Sequence, residues 1–136
     1  MRLKERVANR PKYEIRVAPT AGRDIVAVMN WSLKEFGEDA ALRYDALITQ
    51  ALTDIGDDPE RAGSQQRSEL ANGVLIYHLR FSRDRAKPVL GVVHHPRHFV
   101  IYRRQEHLIE ILRVLHDTRE LQRHMSGEYR NKLDQD

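Results

Sequence analysis

The chain has 136 residues, of which 40% are hydrophobic and 32% are charged, so the composition predicts one folded, well-charged domain rather than a disordered chain. No apolar run approaches the roughly 20 residues that a membrane-spanning helix needs, and no apolar stretch follows the basic N-terminus, so we expect no signal peptide. Without cysteine the chain forms no disulfide and no thiolate site, which fits a reducing compartment.

The net charge of +3 is unevenly distributed, because arginine and histidine crowd the second half of the chain. Six of the seven histidines lie between His94 and His124. Such a region would attract an anion, a nucleic acid or an acidic protein. Since few aromatic residues accompany the cations, an acidic protein partner is at least as well supported as a nucleic acid.

The first part of the chain predicts a strand followed by two helices. Residues 1–11 form a flexible basic lead-in, and alternation over 12–18 predicts a strand with one buried face. Apolar residues at helical spacing then predict helices over about 21–36 and 39–55. Gly37 lies between the helices, at a position typical of a left-handed helix C-terminus. We therefore expect an antiparallel helical hairpin.

The second part of the chain predicts three further strands. A polar connection over 56–67 leads to alternating residues 74–82, and two more strands follow at 99–104 and 108–116. A tight turn at 104–107 joins the last two strands into an antiparallel hairpin. Because consecutive short strands pair antiparallel, the predicted class is α+β, with a mainly antiparallel sheet covered on one face by the helical hairpin.

Three other segments lie outside this pattern. Residues 83–95 form an insertion, within which the apolar run 89–93 predicts a short edge strand. Residues 118–124 predict a short C-terminal helix, and 126–136 form a polar tail. We therefore expect one domain over residues 12–125.

The strand predicted over 108–116 carries an arginine among apolar neighbours. Both of its faces are largely apolar, which predicts a central strand, and alternation assigns Arg113 to the same face as Ile109, Ile111 and Leu115. A guanidinium keeps its charge, so Arg113 must be paired, reach solvent or face a binding surface. The sequence leaves open whether this arginine holds the sheet together or contacts a target.

Three histidines in five residues raise the question of a metal site. Zinc needs converging ligands, usually with carboxylates or cysteines in support. Between His94, His95 and His98, however, Pro96 breaks the geometry, and the neighbours are cationic. We therefore expect a polar loop leading into a strand, and no metal or other cofactor.

A second set of residues has the chemistry of metal-free RNA cleavage. That reaction needs a base for the 2′-hydroxyl, an acid for the leaving oxygen and cations for the phosphorane charge. Histidines and arginines on adjacent strands can supply these groups only if they converge. Local hydrogen bonding and sheet-edge positions explain the same residues somewhat better. The set comprises His78, His116 and His124 with Arg80, Arg103 and Arg113.

Several motifs occur in an informative order. A strand and a helical hairpin precede a sheet that ends in Arg113-Val114-Leu115-His116, with Arg119 shortly after. In this order the motifs resemble the ParE-type toxins of the RelE/ParE toxin–antitoxin superfamily. The resemblance covers about residues 13–125. Its further motifs are Tyr13-Glu14-Ile15 at the start, Ala21 with Asp24-Ile25 in the first helix, Glu35-Phe36-Gly37 followed by Ala40 at the helical turn, and Pro96 to Arg103 in the penultimate strand.

This resemblance implies a small cytoplasmic toxin that is held inactive by a cognate antitoxin protein, with no membrane partner. The antitoxin would have a DNA-binding part, through which alone the complex binds operator DNA, and a C-terminal segment that wraps the toxin. ParE-type members are associated with poisoning DNA gyrase, whereas RelE-type members cut mRNA on the ribosome. The family-motif positions carried over to this chain are Arg103, Arg113, His116 and Arg119.

One departure bears on the choice between these targets. The ribonuclease members use a tyrosine or histidine near the C-terminus, but Tyr129 lies too far along the chain and only His124 is near. The resemblance therefore favours a non-catalytic inhibitor of gyrase. A ribosome-dependent endoribonuclease is the alternative, and a non-toxic binding module of the same fold is a third. The catalytic set of the ribonuclease alternative would be Arg80, Arg103, Arg113, His116 and His124.

Overall fold

The fold is an α+β arrangement in which a helical hairpin packs on a five-stranded mixed sheet. A computed structural model of the protein describes residues 12–86 and 91–117. Its elements are β1 (Glu14–Val17), α1 (Pro19–Phe36), α2 (Glu38–Asp57), β2 (Ser64–Gln66), β3 (Val74–His78), a 3-10 helix (Leu79–Arg85), β4 (His98–Gln105) and β5 (Leu108–His116).

The strands follow the order β1-β5-β4-β3-β2 across the sheet. β1 pairs with β5 in parallel, and every other neighbouring pair is antiparallel. The predicted class is therefore confirmed, and β5 lies inside the sheet between β1 and β4. No helix within the described residues is long and apolar enough to span a membrane.

The predicted helical hairpin is confirmed. α1 begins at Pro19, two residues earlier than expected, because the fixed φ of proline and its missing N–H suit the first turn of a helix. Between the helices, Gly37 has a positive φ of 92°, and its N–H donates to the carbonyl of Leu33. Its own carbonyl accepts from the N–H of Ala41, so this one glycine ends α1 and begins α2.

The main core lies between the hairpin and one face of the sheet. A smaller cluster, to which Leu70 and Ala71 contribute from the loop before β3, lies on the opposite face. The main core consists of Ala21, Val28, Tyr44, Leu47, Ile48, Ala51, Ile55, Leu75, Tyr77, Leu79, Val100, Tyr102, Ile109, Ile111 and Val114.

A β-bulge in β5 overturns the alternation predicted for this strand. Tyr102 pairs with Ile111, but the preceding residue of β4 pairs with Arg113, so Leu112 is an extra residue. Beyond it Val114 joins the helix-side core while Leu115 joins the opposite cluster. One inserted residue exchanges the two faces of a strand. The prediction that Leu115 shares a face with Ile109 and Ile111 is therefore wrong.

The segment predicted as one strand over 74–82 is divided in the structure. β3 ends at His78, where the ring Nδ1 accepts from the N–H of Arg80 and caps the 3-10 helix. The polar connection also contains a strand that the sequence did not predict, because β2 is a short, largely exposed edge strand without apolar alternation. The sheet thus has four strands after the hairpin, not three.

Some predicted features fall partly or wholly outside the described residues. Of the edge strand expected over 89–93, residues 91–93 are described and form no strand. The lead-in over 1–11, the helix over 118–124 and the tail over 126–136 lie outside the described ranges.

Candidate functional site

Arg113 forms a two-point ion pair at the bulge of β5. Its Nε and Nη2 donate to the two carboxylate oxygens of Asp24 on α1, at 2.7 and 3.1 Å. The two side chains are only 19% and 16% exposed. A paired guanidinium and carboxylate in this geometry form a strong, directional contact. Of the three options that the sequence left for Arg113, pairing is therefore the one observed.

The same carboxylate also completes the edge of β5. β1 ends at Val17, which pairs with Ile111, so the part of β5 beyond the bulge has no strand beside it on that side. Asp24 accepts the backbone N–H of Val114 there, at 3.0 Å. It thus replaces a neighbouring strand and fastens α1 to β5.

An aromatic cluster lies at the end of the sheet next to this ion pair. His98 and His116 face each other across β4 and β5, with ring centroids 5.4 Å apart. The His98 ring is buried against Trp31 and Tyr44, at centroid distances of 5.5 and 5.4 Å. The Tyr44 hydroxyl accepts the N–H of Arg97 at 3.0 Å, so its own proton is directed to Nδ1 of His98 at 2.6 Å.

These contacts fix His98 as a neutral imidazole. Burial lowers the pKa of His98 to about 4, and the nearby ring of His116 lowers it further, while Asp117 opposes the shift. Burial also raises the pKa of Tyr44 to about 12. Neither group changes its charge near neutral pH. The pair therefore anchors β4 to α2 and is poorly suited to general acid–base chemistry.

A second imidazole is held on both nitrogens. His78 accepts the N–H of Arg80 at Nδ1, which leaves Nε2 to donate to Asp117 at 3.0 Å. Burial lowers the pKa of His78, although the hydrogen bond from Asp117 opposes that shift. The other carboxylate oxygen of Asp117 lies 3.7 Å from Nδ1 of His116. Asp117 therefore connects the two histidines at this end of the sheet.

A buried carboxylate positions the 3-10 helix that carries Arg80. Asp54 on α2 is fully buried and accepts from the hydroxyl of Ser82 at 2.6 Å and from Nε of Arg85 at 3.0 Å. A side-chain amide and a second guanidinium, from Gln50 and Arg61, complete the contacts of Asp54. The helix is therefore held in place, while the guanidinium of Arg80 lies over the ring of Phe81 on the exposed side, at 4.7 Å.

The structure brings together only part of the predicted ribonuclease set. His78, Arg80 and His116 meet around Asp117. Arg103 lies elsewhere, because it follows four residues after the partner of His78 on β4, about 13 Å along the strand. Its Nε is buried without a hydrogen-bond partner among the described residues. His124 and Arg119 lie outside the described residues.

The three neighbouring histidines do not converge on one point. His98 is buried in the aromatic cluster, while His94 and His95 are exposed. Within residues 12–86 and 91–117 no group of three or more histidine, aspartate or glutamate side chains could hold a metal ion.

Sequence reasoning missed the acidic and phenolic partners of this site. Asp117 follows the last strand directly, and its position beside His116 was the available signal. Tyr44 is on the apolar face of its helix, so its pattern predicted core packing and gave no sign of the hydroxyl contact. Asp24 was noticed only as part of a family motif. Its partner, ninety positions later in the case of Val114, could not be read from local spacing.

A groove of about 710 Å³ opens between the helical hairpin and the insertion. Trp31 and Phe36 line it on the side of α1, and Val92 and Val93 line it on the side of the insertion. His116 lies at its inner end, so the groove begins where the aromatic cluster ends.

Comparison with known proteins agrees with this architecture. Residues 15–121 match the family described as the ParE toxin of the type II toxin–antitoxin system, parDE. Among solved structures, the "Chromosomal ParDE TA system from P. aeruginosa" is similar, with a TM-score of 0.56 and 14% sequence identity. That likeness covers 77% of this chain and 96% of the other. No match was found among curated proteins. Since the family match spans most of the chain, the protein belongs to the ParE toxins of type II toxin–antitoxin systems.

Proposed function

We propose that this toxin acts by binding DNA gyrase and that a cognate antitoxin protein neutralises it in the cytoplasm. The family match over residues 15–121 carries the proposal. The similar solved structure is a ParDE system, which supports an antitoxin partner for this chain as well. Binding to operator DNA would then occur only through the antitoxin.

The contacts at the end of the sheet favour binding over catalysis. Cleavage of RNA without a metal requires an acid, a base and cations around one phosphate. Both ring nitrogens of His78 are engaged within the fold, and His98 is buried and neutral. Arg113 is directed to Asp24. These groups therefore hold the structure, which supports an inhibitor whose activity is its binding surface.

Ribosome-dependent cleavage of mRNA is the second candidate, and one observation favours it. His116 keeps 37% of its side chain exposed and lies near Asp117, whose other oxygen holds His78 beside Arg80. With His124 this arrangement would supply imidazoles and a cation on one end of the sheet. Sequencing of mRNA ends after induction would then show cleavage in phase with codons, and intact messages would exclude it.

A non-toxic binding module of the same fold is the third candidate. It predicts that expression leaves growth unchanged, whereas either toxin arrests growth until the neighbouring gene product is supplied. Measuring growth after induction, with and without that product, therefore separates this reading from both toxins.

The gyrase proposal is tested with purified protein. We expect it to inhibit supercoiling of relaxed plasmid by gyrase and to trap cleaved DNA when it is in excess. Addition of the antitoxin should restore supercoiling, and relaxation by a type I topoisomerase should be unaffected. Undiminished supercoiling at stoichiometric excess, with a folded toxin, would overturn the gyrase claim.

A further inference from the structure

The groove beside the aromatic cluster has apolar walls that the fold leaves uncovered. Phe36 is 65% exposed, although the edge of its ring contacts Trp31 at a centroid distance of 5.5 Å. Val92 and Val93 provide the opposite wall. A large aromatic side chain that borders a concave apolar surface marks a place where another molecule is bound.

The wall contributed by the insertion is held firmly. Nη1 of Arg83 donates to the carbonyl of His94 at 2.9 Å. At Gly91, where φ is 94°, a Cβ atom would lie 3.2 Å from Cδ of Arg43, so glycine permits this close approach to α2. Val93 packs against the main core. The groove is therefore formed before any partner binds, which lowers the entropic cost of binding.

The charge of the groove is of one sign. Arg43, Arg97, His94 and His95 line it, and none of the described residues that line it is an aspartate or a glutamate. Arg97 and both of these histidines are exposed. Such a surface attracts an anionic partner and selects against a basic one.

We infer that this groove binds an acidic peptide segment of the antitoxin, with a bulky apolar side chain inserted between Phe36 and the valines of the insertion. The inference rests on the proposed function, because it assigns the antitoxin as the source of the peptide. Apolar walls below a cationic rim fit alternating apolar and acidic side chains of one peptide. Binding of nucleic acid would be expected to rely on many phosphate contacts and on stacking, and the aliphatic wall offers neither.

The insertion gives the groove a role in partner choice. Val92, Val93 and the two exposed histidines all belong to this segment, so half of the groove depends on it. An antitoxin whose side chains do not fit this wall would leave apolar surface and cations uncovered, which discriminates against non-cognate antitoxins.

Affinity measurements test the inference. The probe is the full-length antitoxin encoded by the neighbouring gene, titrated against the full-length toxin by calorimetry. We expect Phe36→Ala to weaken binding by at least about tenfold, as for a central apolar anchor. Arg97→Glu should weaken it by at least about tenfold at low salt, and by less as salt screens the charge. Lys34→Glu changes the charge equally at an exposed position of α1 outside the groove, and should change affinity by less than about threefold.

Photo-crosslinking locates the bound segment and guards against misfolded variants. A benzophenone amino acid at position 36 should attach to an acidic, apolar stretch of the antitoxin, whereas the same group at Val26, also exposed on α1, should not. If the antitoxin binds but both groove variants retain wild-type affinity, the groove inference is overturned and the antitoxin pairing stands. Attachment at position 36 to the DNA-binding part, or to added oligonucleotide in place of antitoxin, would also overturn it. Failure of the wild-type toxin to bind the antitoxin at all would instead refute the proposed function, and with it the inference.

Discussion

Asp24 and Asp54 both fasten a helix to another part of the fold, but in different surroundings. Asp24 keeps 16% of its side chain exposed and accepts from one guanidinium and one backbone N–H. Asp54 is fully buried and receives a hydroxyl, an amide and two guanidinium groups. A buried charge needs more partners than a half-exposed one, because water cannot replace any of them.

The comparison separates two kinds of arginine in the cationic half of the chain. Arg113 and Arg85 each pair with one of these carboxylates and hold elements together. Arg80 and Arg97 are exposed at the same end of the molecule. The arginine-rich composition therefore does not describe one continuous binding surface. Only the exposed members are suited to contacting a partner.

The largest effect is expected at Asp54. Replacing it by alanine leaves two guanidinium groups and a buried hydroxyl without their acceptor, so Asp54→Ala should lower the free energy of unfolding by about 3–5 kcal/mol. Denaturant unfolding measures this loss. Asp45→Ala, an exposed change on the same helix, should stay within about 0.5 kcal/mol. A loss below about 1 kcal/mol for Asp54→Ala would mean that water readily replaces its contacts.

The next effect is a pH dependence that comes from His98. Its pKa is about 4 in the folded protein, against 6.5 for the free side chain. As pH falls below 6.5 the unfolded chain takes up this proton first, so the stability is full above that pH and is lost progressively down to about pH 4. The expected loss is about 2–3 kcal/mol.

A variant isolates this contribution from that of the carboxylates, which titrate in an overlapping range. His98→Asn retains an acceptor for the Tyr44 hydroxyl but cannot be protonated. Unfolding free energies measured between pH 7 and pH 4 should therefore fall more steeply for the wild type than for His98→Asn. Parallel curves would show that His98 is not the group that titrates.

Much of the fold follows from local sequence patterns. The periodicity of α1 and α2, the glycine between them and the alternation of β1 and β4 each identify an element without reference to the rest of the chain. β2 escaped prediction because its three residues are polar and only their pairing with β3 makes them a strand. Leu112 broke the alternation of β5 because a bulge depends on the register with β4, which no single strand encodes.

The site was less predictable, since its contacts join distant parts of the chain. Arg113 was singled out correctly as a charge that required an explanation, but its partner on α1 is 89 positions away. His98 was grouped with His94 and His95 by proximity in sequence, whereas β4 directs it into the core beside Tyr44. Local spacing indicates which residue types are available, and tertiary packing decides which of them meet.

A smaller effect is expected for the ion pair at the bulge. Arg113→Ala should lower the free energy of unfolding by about 1–3 kcal/mol, because Asp24 loses its charged partner but keeps the N–H of Val114. Asp24→Ala should cost more, since it abandons both donors. A double-mutant cycle should give a coupling of about 1–2 kcal/mol between the two residues. If Arg113→Ala abolished toxicity without changing stability, Arg113 would instead contact the target directly.

The smallest effect is expected at the exposed cations, and it completes the comparison. Arg97 contributes its backbone N–H to Tyr44 and its carbonyl to the N–H of Asp117, while its side chain lies at the surface. Arg97→Ala preserves both backbone contacts, so the free energy of unfolding should change by less than about 0.5 kcal/mol. Thermal and denaturant unfolding check this. A larger loss would place Arg97 with Arg113 among the arginines that hold the fold, and weakened antitoxin binding by Arg97→Glu would then reflect damage to the toxin rather than a lost contact in the groove.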